Sequence, residues 1–327
     1  MSYAASFAAR RPDRPLRLFA LGCALLTALS AVAGCQNNPV PAAEFVNQAE
    51  RFHREALAST INPSNRDLNE YISEVGRRVI EGASEATEGR FSDPVFANMQ
   101  FHLVGSDVPN ACTTGGRHVY IYNGLFQLCR SEEELAAVMA HEFAHAVDLD
   151  VQRTGMRPPA NNTLDQIAFA FAQFPFSPGV ERAADARAFR FYARAGWDPE
   201  KFGNVFESLR QAGLEAGGAG RGVPNVPGVP LSARGAAADA LASELPAAAR
   251  KWRRATVADA RTFLQLRDQA KSRPADGRFS SQNRSWLYLE AMPNCLLPGD
   301  LPVQKRAQEQ LRRDTTPVIT RPGPEPS

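Results

Sequence analysis

The stretch that decides the fold is SEEELAAVMAHEFAHAVDLD, residues 131–150. Ser131 as a helix N-cap and Glu134 three residues later form a capping-box pattern, which predicts that a helix begins here. Apolar side chains then recur at spacings of three and four, which gives the helix an apolar face. These side chains are Leu135, Val138, Met139, Phe143 and Val147.

The pentapeptide HEFAH, residues 141–145, lies inside this helix. Residues four apart share one helix face, so both imidazoles can point at one ion. Catalytic zinc takes three protein ligands and a water, and imidazoles are among its preferred ligands. Glu142 follows His141 directly and can accept a proton from that water. The alternative is a buried helix whose two histidines are satisfied by hydrogen bonds.

A third candidate ligand follows in ERAADARAF, residues 181–189. Glu181 fits as the carboxylate that completes a set of two histidines and one glutamate. Asp185, four residues on, fits as a group outside the ligand shell that orients a ligand imidazole. The alternative is a pair of surface carboxylates, with Asp185 in an ordinary ion pair with Arg182.

Three motifs in this order resemble the zinc metallopeptidases of the HtpX, BepA and Oma type, which are relatives of the CAAX prenyl endopeptidase. They are NACTTGGRHVYIYNGLF (110–126), HEFAH, and E-x-x-A-D followed by ARAGWDP (181–199). The resemblance covers about residues 65–213. It implies one Zn²⁺ per chain held by His141, His145 and Glu181, with Glu142 as general base, and it implies proteolysis of proteins.

The resemblance also implies a fold: an α+β, mostly helical, zincin-like domain with a small β-sheet edging the active-site cleft. His118, Val119, Tyr120 and Ile121 are expected to form the strand at that edge. An extended substrate would pair with the free backbone groups of this strand. Such recognition through the main chain implies low sequence specificity.

The amino terminus predicts export and a lipid anchor. Residues 1–34 combine four arginines with an apolar run that is too short for a confident membrane span. The run ends in Val-Ala-Gly-Cys, which resembles a lipoprotein signal with Cys35 as the lipidated residue. An uncleaved anchor helix is the alternative. Gln36 after the cysteine favours the periplasm-facing side of the outer membrane over the inner membrane.

Charge and cysteine content limit the remaining classes. Without the signal segment's four arginines and one aspartate, the formal net charge of +2 becomes about −1. No basic stripe with interleaved aromatics is present, so nucleic acid is not an expected partner.

Three cysteines, Cys112, Cys129 and Cys295, lie beyond the predicted signal and lipidation site, which predicts one disulfide of undetermined pairing and one free thiol. A thiolate that caps the zinc, from Cys112 or Cys295, is a second hypothesis.

The chain divides by composition into six predicted segments. The signal peptide (1–34) and a lipidated tether (35–43) precede the metallopeptidase domain at 44–213. A flexible Gly/Ala/Pro-rich loop follows at 214–246, then a helical segment packed on the domain at 247–313 and a disordered tail at 314–327. Within the domain, His53 is expected on the solvated side of a helix and His102 in a strand.

The resembling peptidases usually carry a further histidine that stabilises the oxyanion, and this chain has none after His145. Arg250, Arg253, Arg254 and Tyr288 are the candidate substitutes. The resemblance implies a zinc endopeptidase acting on misfolded or misassembled envelope proteins. A zinc-binding, chaperone-like or weakly active lipoprotein is the alternative, and a structural lipoprotein with an accidental HEFAH is a third.

Overall fold

The computed structural model describes residues 43–61, 66–89, 94–150, 163–172, 176–213, 229–270, 284–292 and 302–315. All of them belong to one unit, Pro39–Ser327. The predicted signal peptide, Cys35, Cys295 and the predicted tail beyond Thr315 lie outside these ranges. Within them, no helix combines the length and apolar character that crossing a membrane requires.

Helices make up most of the described residues up to 213. They are α1 (Ala43–Phe52, continued by a π turn, His53–Leu57), α2 (Arg66–Ala86), α3 (Pro94–Ala97), α4 (Asn123–Leu128), α5 (Glu132–Val147), α6 (Leu164–Ala172), α7 (Pro178–Arg194) and α8 (Asn204–Gln211). The later helices are α9 (Leu231–Glu244), α10 (Ala247–Lys251), α11 (Ala260–Gln269), α12 (Arg284–Ala291) and α13 (Pro302–Thr315).

Three short strands complete the fold: β1 (Gln100–Val104), β2 (Ala111–Thr113) and β3 (His118–Tyr122). Their order in the sheet is β1-β3-β2, with β3 parallel to β1 and antiparallel to β2. The expected α+β, mostly helical architecture is confirmed. The expected position of 118–121 is wrong, because β3 is paired on both sides and cannot be the strand that edges a cleft.

The sheet separates two apolar cores because side chains alternate along its strands. One core, which includes Val119 and Ile121, gathers α2, α5, α7 and α8. The other, which includes Tyr120 and Tyr122, gathers α1, α12 and α13. Every residue of β3 is therefore buried.

Two further expectations differ from the structure. Helix α9 occupies 231–244, inside the segment expected to be a flexible loop, because Leu231, Ala238 and Ala242 bury one side of it. The capping box is wrong as well: Ser131 is the N-cap but its side chain caps no helix N–H. The Glu134 carboxylate instead accepts from the backbone N–H of Arg130, at 2.9 Å.

Candidate metal centre

Helices α5 and α7 pack against each other and carry the predicted ligands. Pro178 lies in the first turn of α7, and the Ser177 hydroxyl accepts from the N–H of Val180, so the helix begins one turn before Glu181. Ala184 and Ala188 are fully buried and let the two helices approach closely. The start of α7 and its small residues thus place Glu181 next to the histidines of α5.

Three donor atoms converge between these helices. The Nε2 atoms of His141 and His145 lie 3.1 Å apart. Glu181 Oε2 lies 3.4 Å from the first and 3.8 Å from the second. Ligands about 2.0–2.1 Å from a tetrahedral zinc are about 3.3 Å from one another, so the buried triangle has the size that a zinc ion requires.

Each imidazole is oriented through its other nitrogen. His141 Nδ1 lies 3.0 Å from Asp185 Oδ1, which matches the predicted role of that carboxylate. His145 Nδ1 lies 2.9 Å from Asp150 Oδ2, a contact that the sequence reasoning missed. Leu149 adopts a φ of 56°, which turns the chain so that Asp150 folds back on the helix. The usable signal was an aspartate just beyond the last turn of the helix.

Arg234 on α9 is the second residue that sequence reasoning missed. Its Nε and Nη2 atoms donate to Asp185 at 2.8 and 2.7 Å, a two-point clamp, and its Nη2 lies 3.7 Å from Glu181 Oε2. The alternative pairing of Asp185 with Arg182 is therefore wrong. No sequence signal pointed to Arg234, because the residue lies in the segment taken for a loop.

The electrostatics of the cluster are dominated by these contacts. Burial favours neutral groups, yet bonds from His141 and His145 outweigh it and lower the pKa of Glu181 to about 2. Burial opposes the charge on His145 too, but Asp150 and Glu181 raise its pKa to about 10. The acidic groups thus attract positive charge into the pocket, and a bound metal would displace the imidazole protons.

Glu142 is buried beside the cluster. Both of its carboxylate oxygens are inaccessible, and within the described part of the chain neither accepts a hydrogen bond. Burial raises the pKa of this carboxyl group. A buried acceptor normally has a hydrogen-bond partner, so the unpaired Glu142 carboxylate fits a site that also holds a polarised water.

Several other predicted groups lie elsewhere. Arg253 and Arg254 pair with Asp198 and Glu81, and Tyr288 donates to Asp165. Arg250 lies on α10. These contacts hold Arg253, Arg254 and Tyr288 to partners other than His141, His145 and Glu181.

The structure excludes one of the possible disulfide pairings. Cys112 and Cys129 are both buried free thiols, so they do not form the predicted disulfide with each other. The thiol of Cys112 contacts the Tyr122 hydroxyl at 3.6 Å, and burial raises its pKa. That environment disfavours a zinc-capping thiolate at this position.

The remaining three histidines form a second cluster. His53, expected on a solvated helix face, stacks on His118, with ring centroids 3.7 Å apart. His102, expected as an ordinary strand residue, has its Nε2 2.9 Å from His118 Nδ1. Burial lowers the pKa of His53 to about 4 and of His102 to about 3. All five histidines of the chain thus belong to two clusters.

The sequence of this chain is similar to those of known metallopeptidases. Residues 68–162 match the model of Peptidase family M48. The beta-barrel assembly-enhancing protease of Escherichia coli (strain K12) is 30% identical over 167 residues, which are 43% of this chain and 32% of that protein. The Yersinia pestis protein of that name is 26% identical over the same shares. The mitochondrial metalloendopeptidase OMA1 of Schizosaccharomyces pombe is 27% identical over 46% of each chain.

Two histidines and a glutamate from HExxH, together with a glutamate from a second helix, are the residue types of a metallopeptidase site of the zincin class. More narrowly, residues 68–162 are similar to Peptidase family M48. The chain spans about a third to a half of the length of the curated relatives described above.

Proposed function

We propose that this protein is a zinc-dependent endopeptidase of the bacterial envelope. The observation that carries the proposal is the convergence of His141, His145 and Glu181 around one point, with the unpaired Glu142 carboxylate beside it. The first three hold the ion and Glu142 is the general base. The family match and the names of the relatives support the same reaction class.

Zinc, when bound, supplies a Lewis acid that polarises the scissile carbonyl and acidifies water. Glu142 takes a proton from the attacking water and returns it to the leaving amine, as a general base and then a general acid. Its buried position keeps this carboxylate clear of competing donors. Asp185 and Asp150 hold the two imidazoles by their Nδ1 atoms, so that both Nε2 atoms face the ion.

The substrate is an extended segment of an unfolded protein. Strand β2, Ala111–Thr113, lies at the end of the sheet order and packs against α5. In this proposal β2, and not β3, is the edge strand that binds the substrate. A peptide bound along β2 would be recognised through its main chain, which accepts many sequences.

Envelope localisation rests on residues outside the described ranges. The signal at 1–34 and Cys35 predict a lipoprotein anchored in the outer membrane and facing the periplasm, with the inner membrane as the alternative. Relatives named beta-barrel assembly-enhancing protease support misfolded or misassembled envelope proteins as substrates. A Cys35→Ser variant should lose incorporated palmitate and leave the membrane fraction. Retention of both would contradict the anchor.

The test of the enzyme uses the full chain purified in detergent. Cleavage of an unfolded test protein is followed for the unchanged protein and for Glu142→Gln, with zinc content measured on both. Glu85→Gln is the matched control, because Glu85 is exposed on α2. We expect cleavage to vanish in Glu142→Gln alone while bound zinc stays constant.

Other outcomes decide between the alternatives. Bound zinc with no cleavage by either protein would favour the alternative of a zinc-binding, chaperone-like protein. No zinc in the unchanged protein would contradict the proposed metal centre. Equal cleavage by both proteins would remove Glu142 from the mechanism.

A further inference from the structure

The second histidine cluster is built from three separate elements. His53 comes from the π turn after α1, His102 from β1 and His118 from β3. One donor nitrogen from each of the three lies within 4.8 Å of the other two. His118 is buried, and His53 and His102 are half-buried. Three imidazoles from distant parts of the chain thus share one small volume.

The register of the sheet explains why the two strand histidines meet. Gln100 pairs with His118 and His102 pairs with Tyr120 in the parallel ladder, so His102 and His118 are diagonal neighbours on one face. The opposite face of these strands is apolar and belongs to the core around α2. The histidines therefore face α1.

Gly116 lets α1 reach that face. A Cβ at this position would lie 2.6 Å from the Cβ of Ala49, closer than side-chain atoms approach one another. Glu50 follows Ala49, and its carboxylate lies 3.2 Å from His118 Nε2. The close contact thus places Glu50 and, one turn later, His53 over the strand histidines.

The contacts within the cluster match a metal site with orienting partners. His102 Nε2 and His118 Nδ1 are 2.9 Å apart, close to the roughly 3.3 Å between two ligands of a tetrahedral zinc. Glu50 engages the other nitrogen of His118, as carboxylates do behind metal-bound imidazoles. The Tyr120 hydroxyl lies 2.9 Å from His53 Nδ1 and orients that ring.

One adjustment is needed for all three rings to bind one ion. The His53 and His118 rings are nearly parallel, at 8°, whereas a metal lies in the plane of each imidazole that binds it. His53 must therefore tilt out of the stack. It is half-buried in the π turn that continues α1, and on tilting it would exchange its stacking on His118 for the bond to the ion. Solvent supplies the remaining coordination position.

We propose that His53, His102 and His118 form a second site for a borderline divalent transition metal, with zinc as one of the ions that imidazoles suit. Mg²⁺ and Ca²⁺, which prefer oxygen ligands, are excluded by the same donor set. The site shares no residue with the HEFAH cluster and links α1 to the sheet. The chain therefore holds two zinc ions, in place of the one that the sequence predicts.

The experiment counts bound zinc in the full chain in detergent. Protein is equilibrated with Zn²⁺, passed through a desalting column and assayed for metal. We expect two ions per chain in the unchanged protein and one in His102→Gln or His118→Gln. We also expect one in the doubly substituted His141→Ala/His145→Ala protein, and none when that pair is combined with His102→Gln. Arg66→Gln, in an exposed pair with Glu70 on α2, is the control and should keep two.

A second readout separates binding from misfolding. In the His141→Ala/His145→Ala background, Zn²⁺ should raise Tm, and Mg²⁺ should not, because only the second site remains. The zinc effect should disappear with His53→Gln, a half-buried position whose substitution spares the strands. Folding is checked by circular dichroism.

Two results would overturn the proposal. One is a single zinc in the unchanged protein that vanishes in the His141→Ala/His145→Ala protein. The other is a second zinc that persists when His102 or His118 is replaced. Failure of the HEFAH centre has a different signature, since zinc would then remain in the His141→Ala/His145→Ala protein at the level of the unchanged chain.

Discussion

At the scale of single residues, the candidate metal centre includes side chains that orient the predicted ligands without being ligands themselves. Asp185 orients His141 and is itself clamped by Arg234, which is 3% exposed. The guanidinium fork matches both carboxylate oxygens at once, a geometry that an ammonium group does not reproduce. Arg234 is thus a positioning residue that acts through Asp185.

Arg234→Lys keeps the charge but loses the fork. We expect zinc affinity or cleavage rate to fall about 10–100-fold, the usual effect of losing a partner behind a metal ligand. Competition with a chelator and peptide-cleavage assays measure the two quantities. Arg210→Lys, in an exposed pair with Glu207, is the matched control. Unchanged zinc affinity and rate in Arg234→Lys would contradict the positioning role.

At the scale of elements, close helix packing holds α7 in place. A Cβ at Gly82 on α2 would lie 2.3 Å from the carbonyl oxygen of Phe191 on α7. The two backbones therefore touch where no side chain fits. Because α7 carries Glu181, this contact helps to fix the third donor against α5.

Gly82→Ala should destabilise the protein by about 1–3 kcal/mol, because the added methyl group overpacks a backbone contact. Urea unfolding followed by circular dichroism measures the change. Gly235→Ala on α9 is the control, since a Cβ there meets nothing within 4 Å. That change should stabilise the helix by about 0.5–1 kcal/mol. Equal effects at both positions would refute the argument from packing.

The histidines between α1 and the sheet should make the stability of the protein depend on pH. His53 and His102 have folded-state pKa values of about 4 and 3, lowered first by burial and then by His118, against 6.5 in the unfolded chain. The unfolded state therefore binds more protons below pH 6.5, and stability falls as the pH drops from about 6.5 towards 3. Glu50 and Arg54 are the other charged groups that act on these two rings, and Arg117 acts on His118.

Unfolding free energy measured in EDTA between pH 7 and pH 4 tests this dependence. Replacing His102 by Gln should flatten the fall, because one of the groups with a lowered pKa is gone. EDTA removes any contribution from bound metal. A pH dependence identical to that of the unchanged protein would show that His102 is not one of the groups responsible.

At the scale of the whole molecule, Glu132 joins distant parts of the chain at the start of α5. Its Oε1 accepts from the indole N–H of Trp197 at 2.9 Å and from the N–H of Val257 at 2.8 Å. Its Oε2 accepts from the N–H of Ala258 at 2.8 Å, and Arg78 lies 4.0 Å away. One buried carboxylate thus anchors the helix of the metal centre to two later segments.

Glu132→Gln should cost about 3–5 kcal/mol, because the amide places donors against donors and leaves Arg78 without its buried counter-charge. Thermal unfolding with zinc present measures the loss. Glu85→Gln, on the exposed side of α2, should change stability by less than about 0.5 kcal/mol. A Tm for Glu132→Gln close to that of the control would mean that the network contributes little.

The sequence by itself determined the helix of residues 131–147, the strand at 118–122 and the donor types at His141, His145 and Glu181. These are local properties, since periodicity and i, i+4 spacing depend only on neighbours along the chain. The helix at 231–244 was missed because its alanine- and glycine-rich composition carries almost no periodic signal. Its order comes from burial against α7 and α8, which no local pattern encodes.

Only the tertiary structure decided which strand is central, that Arg234 reaches Asp185, and that His53, His102 and His118 meet. Each depends on pairing or packing between segments that are not neighbours in sequence, and a histidine in a strand looks the same whether it is alone or one of three. The chemistry of each residue was thus readable from the sequence. Its partners were set by the chain's long-range contacts.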